Sequence, residues 1–74
     1  MNIRDRLVKA IRKKYEADME AALATIDIYL ANSIGIGEHP QHIQEIDKLL
    51  SSYCGAKEKL ESLIRHYDDG EIPF

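Results

Sequence analysis

The chain has 74 residues, of which 45% are hydrophobic and 31% charged, and its formal net charge at pH 7 is −3. This length allows at most one domain, and a single core of that size seldom supplies more than ~3–5 kcal/mol, so we expect a further source of stability. The one cysteine, Cys54, excludes an internal disulfide, no Cys/His grouping has the spacing of a structural zinc site, and no apolar run approaches the roughly 18 residues of a membrane-spanning helix.

A lone cysteine is typical of a reducing compartment, and residues 1–6 lack the continuous apolar segment of a signal peptide. We therefore expect a protein of the cytoplasm that has no membrane contact. Cys54 itself is expected to be a small, partly buried side chain rather than a nucleophile. Oligomerisation is the source of stability that remains.

The first predicted element is a long amphipathic helix over about residues 3–31. Its interior contains no glycine or proline, and Asn32 with the glycines that follow offers a C-terminal stop. Apolar side chains recur at spacings of three and four residues, which is the pattern of one helix face. This stripe consists of Val8, Ile11, Tyr15, Met19, Ala22, Ile26 and Leu30.

A glycine-rich segment separates the two apolar stripes of the chain: Ile34-Gly35-Ile36-Gly37-Glu38-His39-Pro40. Its two glycines can take positive φ without steric cost, so we predict a turn in which the isoleucines close the end of the helix pair. The segment is not a dinucleotide fingerprint, because it follows a helix and lacks a third glycine. His39 and His42 have a spacing that lets both face one metal ion, but short groups of this kind are common at helix starts, and we assign no metal site.

A second amphipathic helix is predicted over about residues 40–68. Pro40 suits the first helical position and Gly70 the C-terminal cap. Gly55 interrupts the helix interior at a cost of roughly 1 kcal/mol relative to alanine, and we expect close packing with a neighbouring helix to account for it. The apolar stripe follows heptad spacing and consists of Ile46, Leu49, Tyr53, Ala56, Leu60, Leu63 and Tyr67.

The predicted fold is all-α: one antiparallel helical-hairpin domain over residues 1–74, with a loop at 32–39 and a short C-terminal tail at 70–74. Two helices alone cannot enclose apolar stripes of this width. We therefore expect the hairpin to dimerise into a four-helix bundle, although a tetramer or the helices of another protein would cover the same surface. The predicted oligomer interface consists of Tyr15, Met19, Ala22, Ile26, Ile46, Leu49, Tyr53, Ala56 and Leu60.

Charge is distributed unevenly along the chain. Residues 4–14 contain six basic side chains and one acidic one, whereas residues 15–47 contain seven acidic side chains and no lysine or arginine. The basic segment has three interpretations: it pairs with acidic side chains at the same end of the hairpin, it lies beside the acidic half of an antiparallel second hairpin, or it binds phosphates of nucleic acid. The last would use Arg4, Arg6, Lys9, Arg12 and Lys13.

The loop Ile34–Pro40, followed by a helix that contains Ala56-Lys57-Glu58-Lys59-Leu60-Glu61, resembles small uncharacterised helical-hairpin proteins of tailed phages and marine microbial sequences. The resemblance covers most of the chain and implies a phage or bacterial cytoplasm, without implying an activity. In architecture the expected dimer is also similar to the RNA-binding hairpin dimers that control plasmid copy number, although likeness of fold does not establish RNA binding.

The sequence contains no implied Ser/His/Asp or Cys/His arrangement, so we predict neither a catalytic site nor a cofactor. It favours a small self-associating adaptor or scaffold protein. The alternative is a nucleic-acid-binding regulatory hairpin dimer that uses the basic N-terminal segment.

Overall fold

A computed structural model describes residues 2–32 and 41–67, which form two α-helices. Helix α1 spans Ile3–Asn32 and helix α2 spans Gln41–Tyr67. The predicted bounds, 3–31 and 40–68, agree with these to within one residue. The predicted turn, the proline at the start of the second helix and the C-terminal tail lie outside the described residues.

Helix α1 begins at a side-chain cap. Asn2 Oδ1 accepts a hydrogen bond from the backbone N–H of Asp5 at 2.8 Å, and the Asn2 carbonyl accepts one from the N–H of Arg6 at 3.1 Å. The bond to the Asn2 side chain satisfies a backbone donor that has no partner within the helix, and the bond to the Asn2 carbonyl is the first of the helical series. Asp5 also places a negative charge in that turn, where the helix dipole favours it.

The two helices pack side by side in antiparallel directions. At one end Arg4 Nη2 donates a hydrogen bond to the carbonyl of Tyr67 at 2.9 Å, and at the other the rings of Tyr29 and His42 meet edge to face with their centroids 5.4 Å apart. The residue numbers of both pairs add up to the same total, so the register does not shift between the two ends. The predicted helical hairpin is therefore confirmed, and it is long and narrow, measuring 52 × 17 × 17 Å.

A small apolar core lies between the helices. Helix α1 contributes Ala22 and Ile26 in the half nearer the end of α1, and helix α2 contributes Ala56, Leu60 and Ile64 in the half nearer the chain termini. Leu60 and Ile64 are the most enclosed, each 1% exposed. Each half of the hairpin thus takes its deepest side chains from one helix. The constant register sets the half-buried Leu49 opposite Ala22 and the half-buried Tyr15 opposite Ala56, whereas the side chains opposite Leu60 and Ile64 are Ile11 and Leu7, which are 41% and 59% exposed.

The buried line is shorter and narrower than the predicted stripes. Ile11 is 41% exposed, Leu30 59% and Tyr67 60%, although all three belong to the stripes. Two helices cover only the strip of surface along which they touch, so side chains at the margins and ends of each stripe stay accessible to solvent. Ile64, which lies one position past the heptad series, is instead part of the core.

We expect Leu60→Ala to lower the free energy of unfolding by about 2–5 kcal/mol, because it empties one of the most enclosed positions between the helices. A loss of that size is comparable with the whole stability of a small single core. Chemical denaturation followed by far-UV circular dichroism measures it. Leu50→Ala is the matched control, since it makes the same change on the same helix at a side chain that is 46% exposed; equal losses in the two variants would contradict the burial pattern.

Candidate interaction surfaces

An open groove follows one flank of the hairpin, in two parts that share Tyr15, Gly55 and Lys59. The part nearer the end of α1 has a volume of about 650 Å³ and the part nearer the termini about 470 Å³. We call this surface the Gly55 groove. Besides the three shared residues, its lining consists of Ile11, Asp18, Ala21, Ala22, Thr25, Leu49, Ser51, Ser52, Ala56, Glu58, Ser62, Leu63, His66 and Tyr67.

Gly55 leaves the middle of this groove without a side chain. A Cβ atom added at Gly55 would meet no other atom within 4 Å. The expectation that Gly55 packs closely against a neighbouring helix is therefore wrong within the hairpin. The neighbouring Ala56, which is 6% exposed, is the residue that packs against α1. A glycine in a helix interior costs roughly 1 kcal/mol relative to alanine, and the packing of the described helices does not account for it.

Tyr15 stands at the centre of the groove between two lysines. The Nζ atoms of Lys14 and Lys59 each lie 5.9 Å from the centroid of its ring, within the range of cation–π attraction. Lys14 also donates a hydrogen bond to Asp18 Oδ2 at 2.9 Å, and this bond, together with the negative charge of Asp18, raises the pKa of Lys14 above its ordinary 10.5. Lys59 connects α2 to a ring on α1, so the aromatic wall of the groove is held by both helices.

The nine side chains predicted to form an oligomer interface divide into two groups. Ala22, Ile26, Ala56 and Leu60 are buried between the helices of one chain, so their packing holds the hairpin together. The other five are half-buried: Tyr15, Met19, Ile46, Leu49 and Tyr53. The sequence did not predict which residues belong to which group, because an apolar stripe does not indicate which of its side chains face the other helix of the same chain.

Large apolar side chains outside the predicted interface form much of the accessible apolar surface. Leu7 and Ile28 of α1 are 59% and 61% exposed, and Ile43 of α2 is 76% exposed. The width of each apolar stripe in the sequence could have predicted these exposed side chains. A stripe that is wider than the contact between two helices leaves the side chains at its margins accessible to solvent.

The five residues predicted to bind nucleic acid lie on different sides of α1. The guanidinium of Arg4 pairs with Asp5 at 3.3 Å and bonds to the end of α2, and Arg12 is half-buried. Arg6, Lys9 and Lys13 are exposed at i, i+3 and i+7, which places them on one face of α1. Within residues 2–32 and 41–67 these three form no ion pair. We call them the outer basic face.

The described residues contain neither a cluster of metal-ligand side chains nor a helix that could span a membrane. Among residues 2–32 and 41–67, no three His, Cys, Asp or Glu side chains are grouped so that they could hold a metal ion. His39 lies outside the described residues, and His42 contacts Tyr29. Neither helix is long and apolar enough to cross a membrane.

The expectation that Cys54 is partly buried is wrong, because its side chain is exposed on α2.

Comparison of the chain with protein-family models, with curated proteins and with solved structures gave no match. The resemblance to helical-hairpin proteins of phages and marine microbes therefore stays a prediction.

We expect Arg4→Ala to loosen the open end of the hairpin, because the Arg4 guanidinium is the hydrogen-bond donor to the last carbonyl of α2. Amide hydrogen exchange over residues 64–67 should accelerate about two- to five-fold, equivalent to roughly 0.5–1 kcal/mol for an exposed contact. Arg6→Ala is the matched control, since it removes an arginine from the same turn that bonds to no described residue of α2. Equal acceleration in both variants would show that general charge, and not this bond, secures the end.

Proposed function

We propose that this chain is a small self-associating adaptor or scaffold protein, a helical hairpin that dimerises into a four-helix bundle and acts by binding rather than by catalysis. The main support for the proposal is the number of hydrophobic side chains that stay exposed, compared with the number that are buried. Among the described residues, five hydrophobic side chains are buried between the helices, whereas nine large ones are 38–78% exposed. An isolated hairpin of this kind leaves more large apolar side chains in water than it encloses.

The small size of the buried set supports self-association. Two of its five members, Ala22 and Ala56, are alanines, and alanine contributes little apolar surface. A core of this kind seldom exceeds ~3–5 kcal/mol in a chain shorter than about 70–80 residues. A second hairpin would remove further apolar surface from water at about 25 cal/mol per Å² and would so add to the stability of this small core.

The same proposal includes the cytoplasm of a bacterium, or of a phage-infected host, as the place of action. The exposed thiol of Cys54 supports it, because an accessible free cysteine is typical of a reducing compartment.

Sedimentation equilibrium combined with far-UV circular dichroism over a dilution series tests the proposal. We expect a dimer whose helicity falls as it dissociates, because docking completes the core of each hairpin. A monomer that stays fully helical at all concentrations would contradict the proposal. A monomer with little helix would also contradict it, and would indicate that the helices of another protein cover the stripes.

The outer basic face supports a second candidate, a nucleic-acid-binding regulatory hairpin. Like charges three or four residues apart on a helix are destabilising by roughly 0.2–0.5 kcal/mol per pair, and cations near a helix N-terminus oppose the helix dipole. Arg6, Lys9 and Lys13 carry the first penalty and Arg6, in the first turn of α1, also carries the second. No ion pair with another described residue offsets them. Phosphate groups would supply the missing negative charge.

Fluorescence anisotropy titration with RNA and DNA at two salt concentrations tests this candidate. If it holds, Lys9→Gln/Lys13→Gln should weaken binding and reduce the salt slope by about 2, since each lysine on a phosphate contributes about one unit. Lys48→Gln/Arg65→Gln removes the same charge from α2 and should leave the slope unchanged. Absence of binding by the unmodified chain at low salt would exclude the candidate.

A further inference from the structure

The same pattern of apolar and acidic residues occurs once in each helix, over residues 23–30 of α1 and residues 43–50 of α2. Two large apolar side chains stand seven residues apart, and an isoleucine and an aspartate follow the first of them by three and four residues. Side chains at these spacings lie on one face of a helix, so each pattern places an apolar strip beside a carboxylate. The residues are Leu23, Ile26, Asp27 and Leu30 in α1 and Ile43, Ile46, Asp47 and Leu50 in α2.

Both patterns lie on the flank of the hairpin opposite the Gly55 groove. At about 100° per residue, Leu23 and the groove residue Ile11 lie about 120° apart around α1, on either side of its buried side chains. Around α2, Leu50 and the groove residue Leu63 lie about 140° apart, again on either side of the buried side chains. No residue of either pattern lines the groove. The two patterns therefore share a surface that is separate from it.

The antiparallel register brings the two patterns level with each other. With the register set by the contacts at both ends of the hairpin, Leu23 lies within two residues of the level of Leu50. Leu30 lies at the same separation from the level of Ile43. They form two apolar layers about 10 Å apart, at 1.5 Å per residue, which we call the apolar seam. Leu23, Leu50, Leu30 and Ile43 are 38%, 46%, 59% and 76% exposed, in that order.

An aspartate borders the apolar seam on each outer margin. Asp27 lies one turn from both leucines of the seam on α1, and Asp47 lies one turn from both seam residues on α2. Both aspartates are exposed, and neither forms an ion pair with another described residue. Lys48, the cation next to Asp47 in the sequence, pairs instead with Glu45 at 3.6 Å. The seam is thus an apolar strip with uncompensated negative charge on both sides.

A second copy of this chain does not complement the apolar seam. Pairing of two seams would gather the aspartates of both copies around one contact, and like charges brought together across an interface oppose binding. The basic segment of residues 4–14 has the opposite charge, but its exposed Leu7 and Ile11 lie on the other side of the line between the helices. A contact between that segment and the seam would be heterologous, so it would add copies in a row and would not close the proposed dimer.

A single helix of positive charge does complement the seam. A helix that docks along two others presents large apolar side chains at i, i+3 or i+4, and i+7. The two layers of the seam are one heptad apart, so they receive anchors of that spacing. Lysine or arginine on each side of the anchors would face Asp27 on one margin and Asp47 on the other, which supplies the charge that the described residues lack.

We infer that the apolar seam binds a basic amphipathic helix of a partner protein, with its apolar anchors a heptad apart and its cations on both sides of them. The inference rests on the adaptor role in the proposed function and adds the surface and the chemistry of the partner. Five of the nine exposed large apolar side chains lie outside the seam and stay available for self-association: Ile3, Leu7, Ile11, Ile28 and Tyr67.

A designed peptide of about 18 residues, with leucine at heptad positions a and d and lysine at e and g, tests the inference. The matched control carries glutamate at e and g. In fluorescence anisotropy titrations with the full chain, we expect the lysine peptide to bind with a dissociation constant of about 10–100 μM, because two apolar layers make less than an interface of standard size. The glutamate peptide should bind at least about tenfold more weakly. Equal binding of the two peptides, or no binding of the lysine peptide, would overturn the inference.

Two serine substitutions locate the bound peptide. Ile43→Ser removes a seam residue that is 76% exposed, and Ile3→Ser makes the same change outside the seam, where the side chain is 78% exposed. Both positions are open enough for the hairpin to keep its fold, which far-UV circular dichroism checks. Ile43→Ser should weaken binding of the lysine peptide at least about tenfold, since it removes a large apolar contact, and Ile3→Ser should leave it unchanged. Equal weakening by both substitutions would overturn the inference.

Neutralisation of one carboxylate tests the acidic margin. Asp47→Asn should raise the dissociation constant of the lysine peptide about two- to fivefold and reduce its dependence on salt, as expected for one ion pair near solvent. Glu58→Gln removes an exposed carboxylate from the same helix, at a position that lines the Gly55 groove, and should have no effect. Equal effects would mean that the net charge of the chain attracts the peptide, which would overturn the inference.

Sedimentation equilibrium separates this inference from the proposed self-association. Ile43→Ser should self-associate as the unmodified chain does, because the seam lies outside the contact between copies. A dimer dissociation constant raised more than about threefold would identify the seam as that contact; it would overturn the inference and leave self-association intact. A monomeric chain that binds the lysine peptide, and loses it on Ile43→Ser, would support the inference and overturn the proposed self-association.

Discussion

Two helices that pack as a pair bury only the line of side chains along which they touch, and the other properties of this hairpin follow from that constraint. Here the line comprises two residues of α1 and three of α2. The helices are about twice as long as an average helix, so apolar side chains extend beyond the line on both margins and at both ends. The hairpin consequently has a defined register between its helices, but neither helix covers the whole apolar surface of the other.

The ends show how that register is maintained despite the small core. At one end a guanidinium of the first turn of α1 bonds to the last carbonyl of α2, and at the other a tyrosine ring meets a histidine ring. Neither contact is worth much alone, because both are near solvent. Their value is geometric: a slip of either helix along the other would break both at once, so together they select one register among those that the apolar stripes allow.

The helices themselves were predictable, because an uninterrupted apolar period of three and four residues has few other interpretations. The division of each apolar stripe into buried and exposed side chains was not predictable. Ala22 and Ile26 are buried while Ile11 and Leu30 of the same series are accessible, and this difference depends on the register of α2, a separate segment of the chain. The contact between Arg4 and Tyr67 depends on the same register. Asn2 was a missed local signal, since asparagine is a preferred N-cap. The separation of Arg6, Lys9 and Lys13 from Arg4 and Arg12 could also have been found from helical spacing alone.

The meeting of the start of α1 with the end of α2 has a further consequence for the shape of an assembly. Both ends of the described chain lie at one pole of a particle 52 Å long. Any group attached before residue 2 and any group attached after residue 67 therefore starts from the same pole, where Arg4 joins the two helices. The opposite pole, near the end of α1 and the start of α2, is separated from both by the length of the hairpin.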